Sequence, residues 1–205
     1  MRKADLKKNH KLYEKWIGKF RVATEKYLKA TYIISTVLEK RLLAETMVVR
    51  LCGNWEYLIN EDLVSCVNKH PSKLSEYFGV KISKHPSKNL CRALIIGAGY
   101  KDFKNCANLI DYSKKVISDG CNPFPKISAA NRKKVDEAFI IRNYVLHLSA
   151  VSKRRLKDIY TNDYKLRKFI EPGKFLLANK ALRIWQYFKA FESAGNDIKK
   201  HIGIK

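Results

Sequence analysis

Paired cysteines and long apolar runs are both missing from this sequence of 205 residues. The five cysteines are widely spaced, odd in number and form no C-x-x-C pair, which argues against a disulfide framework and against a zinc site. They are Cys52, Cys66, Cys91, Cys106 and Cys121. No uncharged apolar segment approaches the roughly 20 residues of a membrane-spanning helix. The start, MRKADLKKNHKLYEKW, has no apolar run after its basic residues, so no secretory signal is expected. These absences predict a cytoplasmic protein with reduced thiols and no membrane association.

Acidic residues are scarce. The chain has 19 Asp and Glu and 42 Lys and Arg, which gives a formal net charge of +23. Such an excess repels itself in a compact fold and usually serves an anionic partner. The basic residues are spread over the whole chain, whereas a polybasic membrane anchor is a local cluster, so nucleic acid is favoured over a membrane surface. A lysine-rich genome composition is the alternative explanation, and it requires no anionic partner.

Alternation typical of β-strands is absent, and apolar residues instead recur every three or four positions along most of the chain. With no long linker present, this spacing predicts one all-α domain over 1–205. Its main segments are an N-terminal helix over 6–30, a long core helix over 31–69, a loop and helix over 122–150, and a C-terminal helix with a basic tail over 175–205.

Two short motifs mark the boundaries between helices. The pentapeptide KHPSK occurs at 69–73 and again at 84–88. It is typical of a turn and helix cap, with Ser72 and Ser87 starting new helices, and the alternative is a pair of basic loops that contact RNA. The segment EPGKF at 171–175 predicts a turn.

The stretch IIRNYVLHLSAVSKRR, at 140–155, places three polar residues in an apolar segment and a basic cluster directly after them. Asn143 and His147 are four residues apart and would share one face of a helix, while Arg142 is turned by about 140° from His147. One interpretation is a helix with a narrow polar face and a satisfied core histidine. The other is a site that handles phosphate.

The chemistry of the three side chains suits RNA cleavage by internal attack without a metal. A guanidinium group matches phosphate oxygens with its forked donors. An imidazole titrates near neutral pH, so it can accept the proton of a ribose 2′-hydroxyl or protonate a leaving 5′-oxygen. An asparagine can orient either the histidine or the phosphate by hydrogen bonds. The segment LIIGAGYKDF has neither P-loop nor dinucleotide-binding spacing, and no cofactor is expected.

The segment IRNYVLH resembles the R-N-x-x-x-H signature of the HEPN superfamily. The longer stretch NPFPKISAANRKKVDEAFIIRNYVLHLSAVSKRRL is similar to the RiboL-PSP-HEPN family, with its NPF loop, basic helix start, IRN–H core and basic serine-containing segment. EPGKFLL resembles a PG turn of that family, and GNWEYLINEDL resembles its aromatic and acidic helix.

This resemblance implies an all-α, HEPN-like helical bundle with additional helices that forms a homodimer with a composite, positively charged active site. It implies that Arg142 binds and polarises the scissile phosphate, that His147 is the general base or acid, and that Asn143 positions one of them. The implied activity is a metal-independent endoribonuclease acting in antiphage defence or as a toxin, with an antitoxin or defence-system partner. Some relatives carry a modified tyrosine two residues after the histidine, where this chain has Ser149.

Six basic residues on either side of the motif are candidates for tracking the RNA backbone, although solvated helix ends are the alternative. They are Arg132, Lys133, Lys134, Lys153, Arg154 and Arg155. Two other functions remain open. One is a non-catalytic RNA-binding or adaptor module, and the other is a helical protein whose basic face binds an acidic protein. Glu56 is a candidate for ordering the active site, or it simply pairs with a basic side chain.

Overall fold

The computed structural model describes residues 2–29, 36–97, 103 and 105–202, and all regular structure within them is helical. This confirms the all-α class. The α-helices of these residues are α1 (Arg2–Lys29), α2 (Val37–Lys69), α3 (Ser72–Phe78), α4 (Lys88–Ile96), α5 (Cys106–Val116), α6 (Ala129–His147), α7 (Ala150–Asn162), α8 (Pro172–Leu177) and α9 (Leu182–His201). Two 3-10 turns, Asp119–Cys121 and Phe124–Lys126, lie in the NPF loop that precedes α6.

The chain divides into two compact units, and α1, α2 and α9 contribute residues to both. The first unit comprises Met1–Glu14, Asn54–Ala129 and Ser193–Lys205, and the second comprises Lys15–Gly53 and Ala130–Glu192. All five cysteines lie among the described residues and none is in a disulfide. Among the described helices, none combines the length and apolar character required to cross a membrane.

The first unit has an apolar core that encloses the Asp62 carboxylate. Leu58 and Leu63 of α2 are fully buried, as is Asp62 between them. The Asp62 carboxylate accepts a hydrogen bond from the Asn9 amide at 3.1 Å and lies 2.8 Å from the His10 ring nitrogen. Burial raises the pKa of Asp62, and its two hydrogen bonds oppose that rise. These contacts satisfy a polar group that would otherwise be costly inside the core.

The second unit positions α6, the helix that carries the R-N-x-x-x-H motif. Val135, Ala138 and Ile141 recur at three-residue intervals on α6 and are buried, as helical periodicity predicts. The buried rings of Tyr160 and Phe175 lie 4.4 Å apart between centroids and form part of the same core. Packing therefore accounts for the buried residues next to the motif, such as Ile141, but not for Leu146, which is exposed.

The helix expected over 6–30 begins earlier, at Arg2, and the long core helix expected over 31–69 begins at Val37. Residues 30–35 of these two expected segments lie outside the described residues. Helix α6 ends at His147, so the segment expected over 122–150 contains a loop, α6 and the first residue of α7. The expected C-terminal segment contains the end of α8, a turn and α9, and its residues 203–205 also lie outside the described part.

The turn expected at EPGKF is wrong, because this segment begins α8. Glu171 is the N-cap and Pro172 occupies the first helical turn, where its fixed φ suits a helix and its missing N–H leaves no intrahelical bond unmade. Gly173 then lets the helix approach α2 closely, since a Cβ built on it would lie 2.5 Å from the Cβ of Arg41.

The two KHPSK segments have different outcomes. Ser87 caps α4, because its hydroxyl accepts a hydrogen bond from the Leu90 N–H at 3.1 Å, which confirms the expected helix start. Ser72 is the first residue of α3, so the boundary is confirmed, but Pro71 occupies the N-cap and no side chain caps that helix. The expected capping role of Ser72 is therefore wrong.

Candidate functional site

The motif residues lie on the less buried side of α6. Ile141 and Tyr144 are buried, Arg142 and Asn143 are half-buried, and His147 is exposed. The polar residues of the motif are therefore turned outwards and Tyr144 packs in the core, while Leu146 is also exposed. His147 is not a satisfied core histidine.

A two-residue corner directly after His147 joins α6 to α7. Leu148 has a left-handed backbone with φ of 47°, and its N–H donates to the Tyr144 carbonyl at 2.9 Å. Ser149 then caps α7, because its hydroxyl accepts a hydrogen bond from the Ser152 N–H at 3.1 Å. The corner therefore brings the first turn of α7 next to His147.

The Arg142 guanidinium lies 5.7 Å from the centre of the Phe139 ring, one turn towards the start of α6. His147 is the last residue of the helix, about 7.5 Å further along the axis than Arg142 by helical rise. Among the described residues, no hydrogen bond joins Arg142 to His147. One chain thus places Asn143 and His147 on a common face but does not bring the arginine and the histidine together.

Tyr144 connects the motif to the segment before α8, and sequence reasoning did not single it out. Its hydroxyl donates to the Glu171 carboxylate at 3.3 Å, and its ring contacts Phe169 at a centroid distance of 5.4 Å. Burial raises the pKa of Tyr144, and the nearby Glu171 raises it further. The only local signal for Tyr144 is an aromatic residue inside the motif.

The basic cluster in the first half of α7 carries charge that the described part of the chain does not neutralise. Lys153, Arg154 and Arg155 are exposed, and none of them forms an ion pair within the described residues. The Lys153 ammonium lies 4.8 Å from the centre of the Phe169 ring. Phe169 directly follows Arg167 and Lys168, which are also exposed and were not singled out from the sequence.

Lys133 and Lys134, near the start of α6, have internal partners, in contrast to the basic cluster of α7. Lys133 pairs with Asp163 at 2.5 Å, and this hydrogen bond raises the pKa of Lys133. The Lys134 ammonium lies 2.8 Å from the buried Glu137 carboxylate and 2.6 Å from the Tyr164 hydroxyl. Burial lowers the pKa of Lys134, but these partners outweigh it and the net direction is upwards. Arg132 is half-buried.

The other expected participants belong to the first unit. Glu56 is buried there, as is Trp55, whose ring centroid lies 6.2 Å from that of Tyr13. Both KHPSK segments also belong to the first unit, whereas all nine residues of the expected site belong to the second. The described residues contain no cluster of three or more His, Cys, Asp or Glu side chains arranged to hold a metal ion.

Comparison of the chain with protein-family models, with curated proteins and with solved structures found no match.

Proposed function

We propose that the protein is a metal-independent endoribonuclease of the HEPN type. The observation that carries the proposal is an exposed histidine at the end of α6, followed at once by the unneutralised cations of α7. RNA phosphates would be attracted by those cations to a side chain that can transfer protons near neutral pH.

The reaction needs one proton acceptor, one proton donor and stabilisation of charge on the phosphate. The ribose 2′-oxygen attacks the adjacent phosphorus, a P–O2′ bond forms and the P–O5′ bond breaks. His147 takes the 2′-hydroxyl proton or gives one to the departing 5′-oxygen. Arg142 stabilises the charge that develops on the phosphate oxygens, and Asn143 orients one of these groups. The products are a 2′,3′-cyclic phosphate and a 5′-hydroxyl.

A second copy of the chain would complete this site. Three apolar side chains around His147 are exposed: Leu146 by 50%, Leu148 by 72% and Val151 by 52%. Burying such side chains is the usual driving force for association. In a two-fold dimer formed through this surface, Arg142 of one subunit could face His147 of the other, a pairing that one chain does not make.

Cleavage of a mixed RNA pool in EDTA tests the activity directly. We expect the wild type to produce cyclic-phosphate ends and His147→Ala to produce none. The matched control is His201→Ala, which removes an exposed histidine at the end of α9 in the first unit and should cleave at the wild-type rate. Equal cleavage by a folded His147→Ala variant would refute the proposal.

Mixed dimers test whether the active site is composite. Arg142→Ala and His147→Ala subunits are inactive alone in this proposal, but a heterodimer of the two retains one intact pair across the interface. Random exchange makes about half of the dimers heterodimers with one of two sites intact, so about a quarter of wild-type activity should return. No recovery after verified subunit exchange would place both residues of each site on one chain.

A non-catalytic RNA-binding module is the second candidate. It is favoured by one observation: within the described part of the chain, no hydrogen bond orients the His147 imidazole. A pure binder would bind RNA in a salt-dependent way, would not cleave it, and would lose affinity gradually as α7 cations are removed. A lack of cleavage by the wild type and by His147→Ala, together with such binding, would support this function.

A further inference from the structure

A cavity of about 620 Å³ lies within the second unit, and no residue of α6 or α7 lines it. Its walls come from α1, α2, the end of α8 and the turn and helix that follow. We propose that this cavity binds a nucleotide, with the base against Trp185 and the phosphates against basic side chains on the rim. This inference goes beyond the proposed cleavage and does not depend on it.

The charge of the cavity fits a polyanion. Four cationic side chains line it, against one carboxylate, that of Glu25; the four are Arg21, Lys29, Lys40 and Lys180. Glu25 is already paired with Lys29 at 2.6 Å, so those two lining charges neutralise each other. Arg21 has a longer, exposed ion pair with Glu192 at 3.6 Å, so Lys40 and Lys180 remain without a carboxylate partner among the described residues. A phosphate chain offers oxygens to both ammonium and guanidinium donors.

The apolar part of the cavity distinguishes a nucleotide from a simple phosphate ion. Leu28, Leu177 and Trp185 line the cavity beside the cations. The Trp185 side chain is half-buried, and its ring contacts the Phe188 ring at a centroid distance of 5.4 Å. This contact restricts the orientation of the indole. A fixed indole next to cations can stack a nucleobase while the phosphates reach the rim.

The turn that carries Lys180 has an unusual backbone. Asn179, Lys180 and Ala181 are consecutive residues with φ of 56°, 56° and 63°, in the left-handed region that residues other than glycine rarely adopt. The Ala181 N–H donates to the Leu177 carbonyl at 3.0 Å, which helps to hold this conformation. Strained turns of this kind concentrate at binding sites, and this one places Lys180 at the cavity.

The size of the cavity agrees with a small ligand, because pockets for such ligands span roughly 300–1,000 Å³. The same chemistry, a base next to phosphate, could come from a free nucleotide or from one nucleotide of an RNA chain. Competition between the two distinguishes these sources.

Titration with ATP, followed by tryptophan fluorescence near physiological ionic strength, tests the proposal. We expect saturable quenching that Trp185→Phe abolishes and that Trp16→Phe, a change outside the cavity lining, leaves in place. Because one charge-assisted hydrogen bond to a phosphate contributes about tenfold in affinity, Lys180→Gln should raise the Kd by about that factor. Lys189→Gln, which removes an exposed lysine outside the cavity lining, should leave the Kd unchanged.

Two further titrations complete the design. Inorganic triphosphate should bind much more weakly than ATP, and equal binding would overturn the role given to Trp185. Single-stranded oligoadenylate that displaces ATP would identify the ligand as an RNA nucleotide, and failure to displace it would identify a free nucleotide. Equal ATP affinity of the wild type and Lys180→Gln would overturn the site. His147→Ala should bind ATP like the wild type, whatever its effect on cleavage.

Discussion

Gly173 stands where α8 meets α2, and an alanine there has no room. A Cβ built on Gly173 would lie 2.5 Å from the Arg41 Cβ, 2.6 Å from its carbonyl oxygen and 2.7 Å from its Cα. Carbon atoms normally approach to about 3.5–4.0 Å, so the overlap is about 1 Å. Two of the three contacted atoms belong to the backbone of a long helix, which cannot move aside as a flexible side chain can.

The cost of Gly173→Ala has two parts. Overpacking of this kind costs about 1–3 kcal/mol. A shift of α8 to relieve it would also weaken the bond of about 1.5–3 kcal/mol that the Gly173 N–H donates to the Glu45 carboxylate at 2.7 Å. Alanine also lowers the backbone entropy of the unfolded chain, which stabilises the folded protein by up to about 1 kcal/mol and offsets part of this cost. The net loss is about 3 kcal/mol, which corresponds to a fall in Tm of roughly 6–12 °C for a chain of this size.

Thermal unfolding monitored by circular dichroism measures this loss. Gly18→Ala is the matched control, because Gly18 lies inside α1 and a Cβ built there would meet no described atom within 4 Å apart from its two chain neighbours and the backbone of its own helix. That change should stabilise the protein by about 0.5–1 kcal/mol. A Gly173→Ala protein with a Tm at or above that of the wild type would refute the reasoning from close approach.

Two charged groups of the second unit give further expectations. Burial raises the pKa of Glu45 in the folded protein above its ordinary value of 4.5. The protonated carboxyl therefore contributes its full stabilisation below pH 4.5, and this contribution is lost as the pH rises through the pKa of the folded state. Glu45→Gln, which keeps an oxygen for the Gly173 N–H, should therefore exceed the wild-type Tm at pH 7 by a margin that closes towards pH 4, and a margin independent of pH would contradict this. Lys134→Met leaves the buried Glu137 carboxylate without its cation and should cost about 2 kcal/mol. Lys133→Met removes an exposed pair and should change the Tm little, so equal losses in urea titrations of the two variants would count against the distinction.

The class of fold was predictable because it depends on local periodicity. Val135, Ala138 and Ile141 recur at helical spacing, and that spacing alone is enough to bury one face of α6. The cap at Ser87 is also a local signal, since a serine side chain can reach the N–H three residues ahead of it.

Helix α8 was missed because nothing local specifies it. It has six residues, including a proline and a glycine, and its sequence is typical of a turn. What stabilises it is the close approach of Gly173 to Arg41, together with the bond from Gly173 to Glu45, a residue 128 positions away. Contacts over such separations carry no short-range signature in a single sequence.

Helical spacing predicted which candidate residues lie on α6, but not which of the charged side chains would have partners. Lys134 and Glu137 are three residues apart, so their pairing could have been expected from helical spacing. The hydroxyl of Tyr164, 30 residues away, completes that network and was not foreseeable. Likewise, the left-handed turn at Lys180 contains no glycine that would have indicated it.

The distribution of carboxylates bears on the two explanations for the charge of +23. A compositional excess of lysine requires no particular place for the few acidic residues. Here Glu137 pairs with Lys134 and Asp163 pairs with Lys133 on α6. Within the described residues, no carboxylate pairs with the basic cluster of α7. Because salt screens charges beyond about 8 Å, cations left without partners act mainly on their own surroundings. The exposed His147 lies next to these cations. We therefore infer that the positive charge of α7 holds a polyanion beside a side chain that can transfer a proton.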